Sequence, residues 1–346
     1  MANIYNNEIS LAFDVYGCPQ RCKHCWLGHT SQTNMNVEEV ISTFSSIKNE
    51  HNDNNYYGSK VKYLSVDIRE PHYGDNYKNL YNRVDEINDC SVEVDNNFEL
   101  ISLWRLLRDK DYVNWIKERG INKVQLKVFG LEETNDFFYG RKGAHKDLIE
   151  GTNILLNNGI IPRWQVYYNK KGINELDQVM KLTHELNIWE RVSDLGEKFN
   201  IHGCTFDSDG AGFINHNYRI EKGDEKKIQK RLWEKSKEHY GEEYDLKTEG
   251  ELTKEILSEG EYTLITDDHW LWFFVTSDWD VYPNFMGPAP WWELGNLKND
   301  NWKTIVDNYK KNNNLGLKVI TEISAKELAQ RYGILKVKNY IIVRFN

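Results

Sequence analysis

The sequence predicts an α/β fold, a parallel sheet flanked by helices, followed by a smaller α+β unit. Three observations carry this. Short β-like runs alternate with helical patterns six times up to about residue 215, and such alternation builds parallel sheets with helices outside them. Beyond about residue 260 the pattern turns hairpin-like. A chain of 346 residues with 40% apolar content is long enough for one large domain or two ordinary ones, each with a packed core.

The elements follow in order. Ile9 to Phe13 reads as the first strand. Asn36-Val-Glu-Glu39 then opens a helix with capping-box spacing, with Val37, Val40, Ile41, Phe44 and Ile47 on one face. Val61 to Val66, Glu99 to Leu103 and Val124 to Phe129 are the next three strands, with helices at Asp111 to Glu118 and Lys146 to Asn157. The latter stops at Asn157-Asn-Gly159, a normal C-terminal signal. Arg163 to Tyr168, a helix from Asn174 to Leu186 and a sixth strand, Asn200 to Thr205, complete the alternation. Asp224 to Tyr240 is expected to be one charged helix with Ile228, Leu232 and Trp233 as its apolar stripe. EYTLITDD and HWLWFFVTSDWDVYP read as hairpin strands of a unit beginning near Tyr262. A helix near Asn301 to Lys311 and a short helix–strand tail follow. The Asn-rich patches Asn52 to Asn55 and Asn312 to Asn314 read as surface turns.

The 44 Lys and Arg against 53 Asp and Glu leave a net charge of −9, which argues against binding nucleic acid by general phosphate attraction. The longest wholly apolar run, Trp270 to Val275, is far short of the roughly 20 residues a membrane-spanning helix needs. The opening MANIYNNEIS lacks the basic start and apolar stretch of a secretory signal. A cytoplasmic protein is expected. Five cysteines, three of them within eight residues, make no disulfide framework and agree with a reducing compartment. Most of the 12 Trp and 20 Tyr are expected to pack the core and its rim.

Directly after the first strand stands Gly17-Cys18-Pro-Gln-Arg-Cys22-Lys-His-Cys25, a C-x3-C-x2-C triplet. Thiolates this close hold one metal centre only if the loop wraps around it. Three of them can bind three irons of a four-iron cluster and leave the fourth open to another ligand. The alternatives are a zinc site completed by His24 or His29, or three unrelated thiols. Zinc sites more often pair C-x2-C with a distant second pair, and the sequence has none.

With this triplet the chain resembles the radical S-adenosylmethionine (SAM) enzymes, over most of residues 8 to 220 and more faintly to about 335. The resemblance implies a partial (β/α)6 TIM-like barrel over residues 1–220, then a charged helical linker (221–260) and a smaller α+β C-terminal domain (261–346). It implies that Cys18, Cys22 and Cys25 bind one 4Fe–4S cluster whose open iron takes the amino and carboxyl groups of SAM. Reductive cleavage of SAM, with a flavodoxin- or ferredoxin-type electron donor, then gives a 5′-deoxyadenosyl radical that abstracts a substrate hydrogen. After the second strand such enzymes usually carry Gly-Gly-Glu-Pro, where this chain has Ile68-Arg69-Glu70-Pro71. Glu70 keeps the role of meeting the SAM amino group, and Arg69 reads as a surface salt bridge or a group at SAM. Lys127, near a position where relatives place a serine, reads as a partner of the SAM carboxylate or as an outward residue. Arg141, in Asn135-Asp-Phe-Phe-Tyr-Gly-Arg141-Lys-Gly143, is a clamp for that carboxylate or a solvated loop arginine. Gln165 and Tyr167 alternate toward the barrel interior, which makes Gln165 a cofactor-binding candidate. Cys204 ends the sixth strand, where a thiol can donate a hydrogen atom, as in radical SAM epimerases, or serve as a small buried apolar residue. Cys90 has no evident partner.

Phe274-Val-Thr-Ser-Asp-Trp-Asp-Val-Tyr-Pro-Asn284, followed by Leu294-Gly-Asn-Leu297, resembles the C-terminal extension called SPASM or twitch. Asn284 stands where a cysteine is expected, and no cysteine follows Cys204, so the scaffold is expected without auxiliary clusters. Trp270, Trp272, Trp279, Trp291 and Trp292, with His269 and Met286, read as an aromatic wall over the substrate or as the core of a small domain. The resemblance implies an enzyme acting on a peptide or a small-molecule natural-product intermediate, with epimerisation, oxidation, cyclisation and rearrangement unranked. The first strand begins within about ten residues, leaving no leader-binding domain before it, which weighs slightly against a leader-dependent maturase. The competing class is a non-catalytic zinc- or iron-binding module built on the same cysteine loop. A radical SAM methyltransferase is weakened by the missing extra cysteines and cobalamin domain.

Overall fold

The computed structural model describes residues 4, 7–29, 32–88, 99–206, 210–264, 270–283 and 289–342. Cys90, His269, Asn284 and Met286 therefore lie outside the described residues. In chain order the elements are β1 (Glu8–Phe13), α1 (Val37–Asp53), β2 (Lys60–Ser65), α2 (Tyr77–Asn88), α3 (Leu103–Leu106), α4 (Tyr112–Glu118), β3 (Lys123–Val128), α5 (Glu132–Tyr139), α6 (Ala144–Asn157) and β4 (Ile161–Tyr167). They continue with α7 (Leu176–Glu185), α8 (Ile188–Asp194), β5 (Ile201–Cys204), α9 (Lys230–Tyr240), β6 (Leu246–Thr248), α10 (Glu249–Glu259), β7 (Trp270–Val275), β8 (Asp280–Pro283) and β9 (Gly295–Asn296). The C-terminal elements are α11 (Trp302–Lys310), α12 (Leu315–Glu322), α13 (Ala325–Tyr332) and β10 (Tyr340–Ile342). This is a mixed α/β architecture: the three-stranded sheet is all parallel, and the five-stranded one is parallel through β2, β1 and β7 and antiparallel beyond.

Two sheets carry the barrel strands. β3, β4 and β5 form one, all parallel, with Lys127 opposite Gln165 and Tyr167 opposite Cys204. The other runs β2-β1-β7-β8-β9. β1 is an interior strand, flanked in parallel by β2 on one side and β7 on the other, which is why nearly all of EISLAF is buried. β7 and β8 close an antiparallel hairpin with Phe274 opposite Tyr282. A separate antiparallel pair joins β6 to β10.

The helices lie outside because each has one apolar face. Asn36 caps α1 by accepting the Glu39 N–H at 3.1 Å, and Val37, Val40, Ile41, Phe44 and Ile47 are buried, as their spacing predicts. Fully burying each such side chain contributes roughly 1.5–3 kcal/mol. Asn52, near the end of α1, bonds both the N–H and the C=O of Val61 and so docks that end on β2. On β3 the alternation is complete: Val124, Leu126 and Val128 are buried, while Lys123, Gln125 and Lys127 are half-buried on the other face. That second face looks into the barrel.

Three expectations are corrected. The strand predicted at Glu99 to Leu103 is a single parallel bridge from Glu99 to Val124. Ser102 instead accepts the Arg105 N–H and starts α3, diverting the chain from the sheet. The helix predicted over Asp224 to Tyr240 is broken. A 3-10 turn at Asp224–Lys227 ends in extended Ile228, and α9 restarts under a cap from the Gln229 side chain. Nor is Asn312 to Asn314 simply a surface turn. Asn312 and Asn314 are buried, Asn312 donating to Thr321 Oγ1 and Asn314 capping α12 while donating to the Trp292 carbonyl. Among the described residues no helix is long and apolar enough to cross a membrane.

Candidate functional site

The cysteine loop leaves the C-terminal end of β1 through Gly17, whose φ of +61° suits glycine. Two tight turns shape its middle, Cys25 N–H to the Cys22 carbonyl at 3.3 Å and Gly28 N–H to the Cys25 carbonyl at 3.2 Å. The loop is also pinned from outside. Lys23 N–H donates to the Phe138 carbonyl at 2.8 Å, and the Asn215 side chain donates to the Lys23 carbonyl at 2.5 Å. Gly140, just past α5, has φ +69°, and a Cβ there would overlap the Arg21 carbonyl oxygen. The loop thus rests on α5 through backbone contact.

Cys18, Cys22 and Cys25 are free thiols lining one cavity of about 480 Å³, within the range of small-molecule sites. Glu70, Lys127, Arg141, His24, Gln125, Ser102 and Trp104 share it. Burial, then repulsion from Glu70 and the other two thiols, pushes the Cys18 thiol up to about 12. Burial raises Cys22 to about 11, against the opposing pull of Lys127. Burial and mutual repulsion disfavour bare thiolates at Cys18 and Cys22, a cost that a bound metal would offset by ionising the thiols it coordinates. Among the described residues no three His, Cys, Asp or Glu side chains are already grouped to hold a metal ion. Glu70 is lifted to about 7, chiefly by burial, while Ser102 by hydrogen bonding and Lys127, Arg105 and Arg141 by charge pull it back.

The strand periodicity accounts for Lys127. It stands on the interior face of β3, and its ammonium lies 3.3 Å from His24 Nε2. Burial and that ammonium hold His24 well below the usual histidine range, so its ring is neutral and accepts. Arg141 pairs with Asp147 at 2.7 Å, and its buried Nε has no hydrogen-bond partner. An acceptor in the cavity would satisfy it. Cysteines, Glu70, Lys127 and Arg141 therefore meet in one space.

Two other candidates sit apart from the cavity lining. Gln165 accepts from Gln125 Nε2 at 3.1 Å, and Gln125 is the glutamine that lines the cavity. Cys204 is buried among Phe129, Phe138, Tyr167 and Phe206. His24 reaches the edge of that aromatic group, its ring centroid 4.7 Å from that of Phe129. Arg69 also lines the cavity, and its ion pair with Asp14 is buried, not the surface bridge considered from sequence. The C-terminal tryptophans do not form one wall. Trp279 is buried edge-on to Phe13, Trp270 stacks near Trp272, and Trp291 is exposed. Sequence reasoning missed Gln125, Ser102 and Trp104. Gln125 alone carried a signal, being two residues before Lys127 and so on the same face.

No protein-family model matches the chain. A stretch of 89 residues is 29% identical to the Fe-coproporphyrin III synthase of Methanosarcina barkeri (strain Fusaro / DSM 804); it covers 26% of this chain and only 22% of that relative's length. Among solved structures, native anSMEcpe with bound AdoMet is similar at a TM-score of 0.50 and 16% identity, over 88% of this chain and 82% of that one. Native anSMEcpe with bound AdoMet and Cp18Cys peptide gives 0.51 at the same identity and coverage. These likenesses are of fold: the chain has the TIM-barrel-like α/β fold of those AdoMet-bound structures.

Proposed function

We propose that this chain is a radical SAM enzyme, with Cys18, Cys22 and Cys25 holding one 4Fe–4S cluster and SAM lying in the adjoining cavity. The observation that carries the reading is the meeting of three thiols, a largely desolvated carboxylate and two cations in one cavity. A reduced cluster held by Cys18, Cys22 and Cys25 would supply the one electron for reductive cleavage of SAM, and with it hydrogen-atom abstraction from the substrate. The chain's own residues then have distinct tasks. Glu70, ionised, accepts from the SAM amino group, and Lys127 and Arg141 face its carboxylate. Gln165 acts indirectly, by holding Gln125. Ile101, Leu103 and Trp104 give one wall of the cavity its apolar surface.

A peptide substrate is the favoured class, because the structurally similar anSMEcpe binds Cp18Cys peptide; a small-molecule natural-product intermediate is the second. The segment from residue 261 is read as a SPASM- or twitch-like extension without auxiliary clusters, and a flavodoxin- or ferredoxin-type protein as electron donor. A hydrogen-atom donor role for Cys204 requires a substrate radical to reach β5 past Phe129, Tyr167 and Phe206. Solvent deuterium entering the product, and lost in Cys204→Ala, is its test.

The zinc-module reading needs a fourth ligand. Its two candidates are engaged elsewhere, His24 with Lys127 and His29 Nε2 with the Cys22 carbonyl at 3.2 Å. Anaerobic reconstitution decides between the two. A brown protein with about four iron and four sulfide per chain, cleaving SAM to 5′-deoxyadenosine under reductant, supports the enzyme. Replacing any of the three cysteines with Ala should abolish both properties. A colourless, zinc-loaded protein that leaves SAM intact overturns it.

A further inference from the structure

We infer that the buried Asp14–Arg69 pair is a clasp joining both ends of the cysteine loop, and that Arg69 is thereby a positioning residue for the cluster; this rests on reading the loop as the cluster site. Arg69 has φ +62°, a left-handed conformation that glycine adopts freely and an L side chain only at a cost. Something must hold an arginine there, and its contacts show what. The guanidinium is 3% exposed. Its Nε donates to Asp14 Oδ2 at 2.7 Å, its Nη1 to the Gly28 carbonyl at 2.6 Å and its Nη2 to the Leu27 carbonyl at 2.9 Å.

The partner completes the circuit. Asp14 is 4% exposed and spends its other oxygen on the Gly17 N–H at 3.1 Å. Its own N–H donates to the Val275 carbonyl at the end of β7. One ion pair therefore touches the residue that opens the loop and the two that close it, with all three cysteines between. It is seated on the ends of β1 and β7 at one side and just after β2 at the other. Buried ion pairs seldom add net stability over apolar packing. What this pair supplies is geometry, since a planar fork satisfies three acceptors in fixed directions and a lysine cannot.

Arg69→Gly is the informative variant, because glycine keeps the backbone conformation while deleting the guanidinium. In cluster-free protein, site-resolved iodoacetamide alkylation of Cys18, Cys22 and Cys25 and deuterium exchange of amides 17–28 should both rise about tenfold or more, as charged hydrogen bonds are lost. After reconstitution, iron should be lost to a chelator about tenfold faster. The electron paramagnetic resonance spectrum of the reduced, SAM-bound cluster should shift while Tm stays within a few degrees of wild type. Arg69→Lys, which retains the charge opposite Asp14, should recover part of each effect. Should Arg69→Gly be insoluble, Asp14→Asn combined with Arg69→Gly removes the stranded charge, and exchange in Arg69→Lys remains a second measure. Alkylation and exchange equal to wild type in these variants overturn the clasp. A wild-type protein that takes up no iron–sulfur cluster overturns the enzyme reading instead, and the cluster-free assays still judge the clasp.

Discussion

Three glycines share a left-handed conformation but not a neighbourhood, and together they test whether α5 supports the cysteine loop. Gly140, Gly143 and Gly159 have φ of +69°, +79° and +73°. A Cβ on Gly143 or Gly159 would meet nothing within 4 Å, whereas one on Gly140 would overlap the backbone of Arg21, next to Cys22. Gly143→Ala and Gly159→Ala should therefore cost only the left-handed strain, roughly 1–2 kcal/mol each. Gly140→Ala bears that strain plus an overlap that no side-chain rotation relieves, adding about 1–3 kcal/mol. The loop must move, or the variant must lose its fit. Thermal melts by circular dichroism, with iron content after reconstitution, read out both effects. The fall in Tm for Gly140→Ala should be about twice that of the other two, and it alone should load less iron. Equal melts and equal iron across the three variants would refute the idea that the loop leans on α5.

Glu70 supplies a pH test on ligand-free protein. Its folded pKa, raised to about 7 by burial, lies above the ordinary carboxylate value near 4.3. The folded state then binds the extra proton, so stability is full below the ordinary value and falls as pH rises toward about 7. Glu70→Gln removes that dependence and should gain up to about 3 kcal/mol relative to wild type between pH 4.5 and pH 8; parallel Tm–pH curves would count against it. At pH 8 the same variant should bind SAM at least tenfold more weakly by calorimetry, and unchanged affinity would displace Glu70 from the SAM site. Trp302 of α11 donates to His51 of α1 at 2.9 Å, and the other ring nitrogen of His51 meets Ser59 Oγ at 2.9 Å. Trp302→Phe leaves a buried nitrogen unpaired and should cost about 1–3 kcal/mol, read as a lower urea midpoint; no change would mean the two helices are not coupled.

The fold was legible wherever a local pattern was sufficient. The cap at Asn36, the stripe of α1 and the alternation of β3 needed nothing beyond their own residues. Where the sequence reading failed, the missing information was distant or absent. Leu100 and Ile101 resemble a strand, yet only Glu99 finds a pairing partner, because Ser102 can cap a helix. No glycine or proline marks the break at Ile228, and Gln229 is not among the strong caps. The pairing of β7 with β1 spans more than 250 residues of chain. Its one local signal was WLWFFV, a continuous apolar run without alternation, which is how a strand covered on both faces reads.

The site divides along the same line. C-x3-C-x2-C is a contiguous signal, and so it could be read. Interior-facing alternation identifies Gln125, Lys127 and Gln165 equally well but carries no depth, so it could not tell that Gln125 faces the cavity and Gln165 lies behind it. Arg69 is the instructive case. From sequence alone, an arginine replacing glycine is a disturbance, and a surface salt bridge is its ordinary explanation. Its acceptors lie 41, 42 and 55 residues away in sequence, and no local pattern announces them. What marks the position is the conflict itself, a bulky side chain where the backbone prefers none. A local rule broken at the rim of a site points to an interaction strong enough to enforce it.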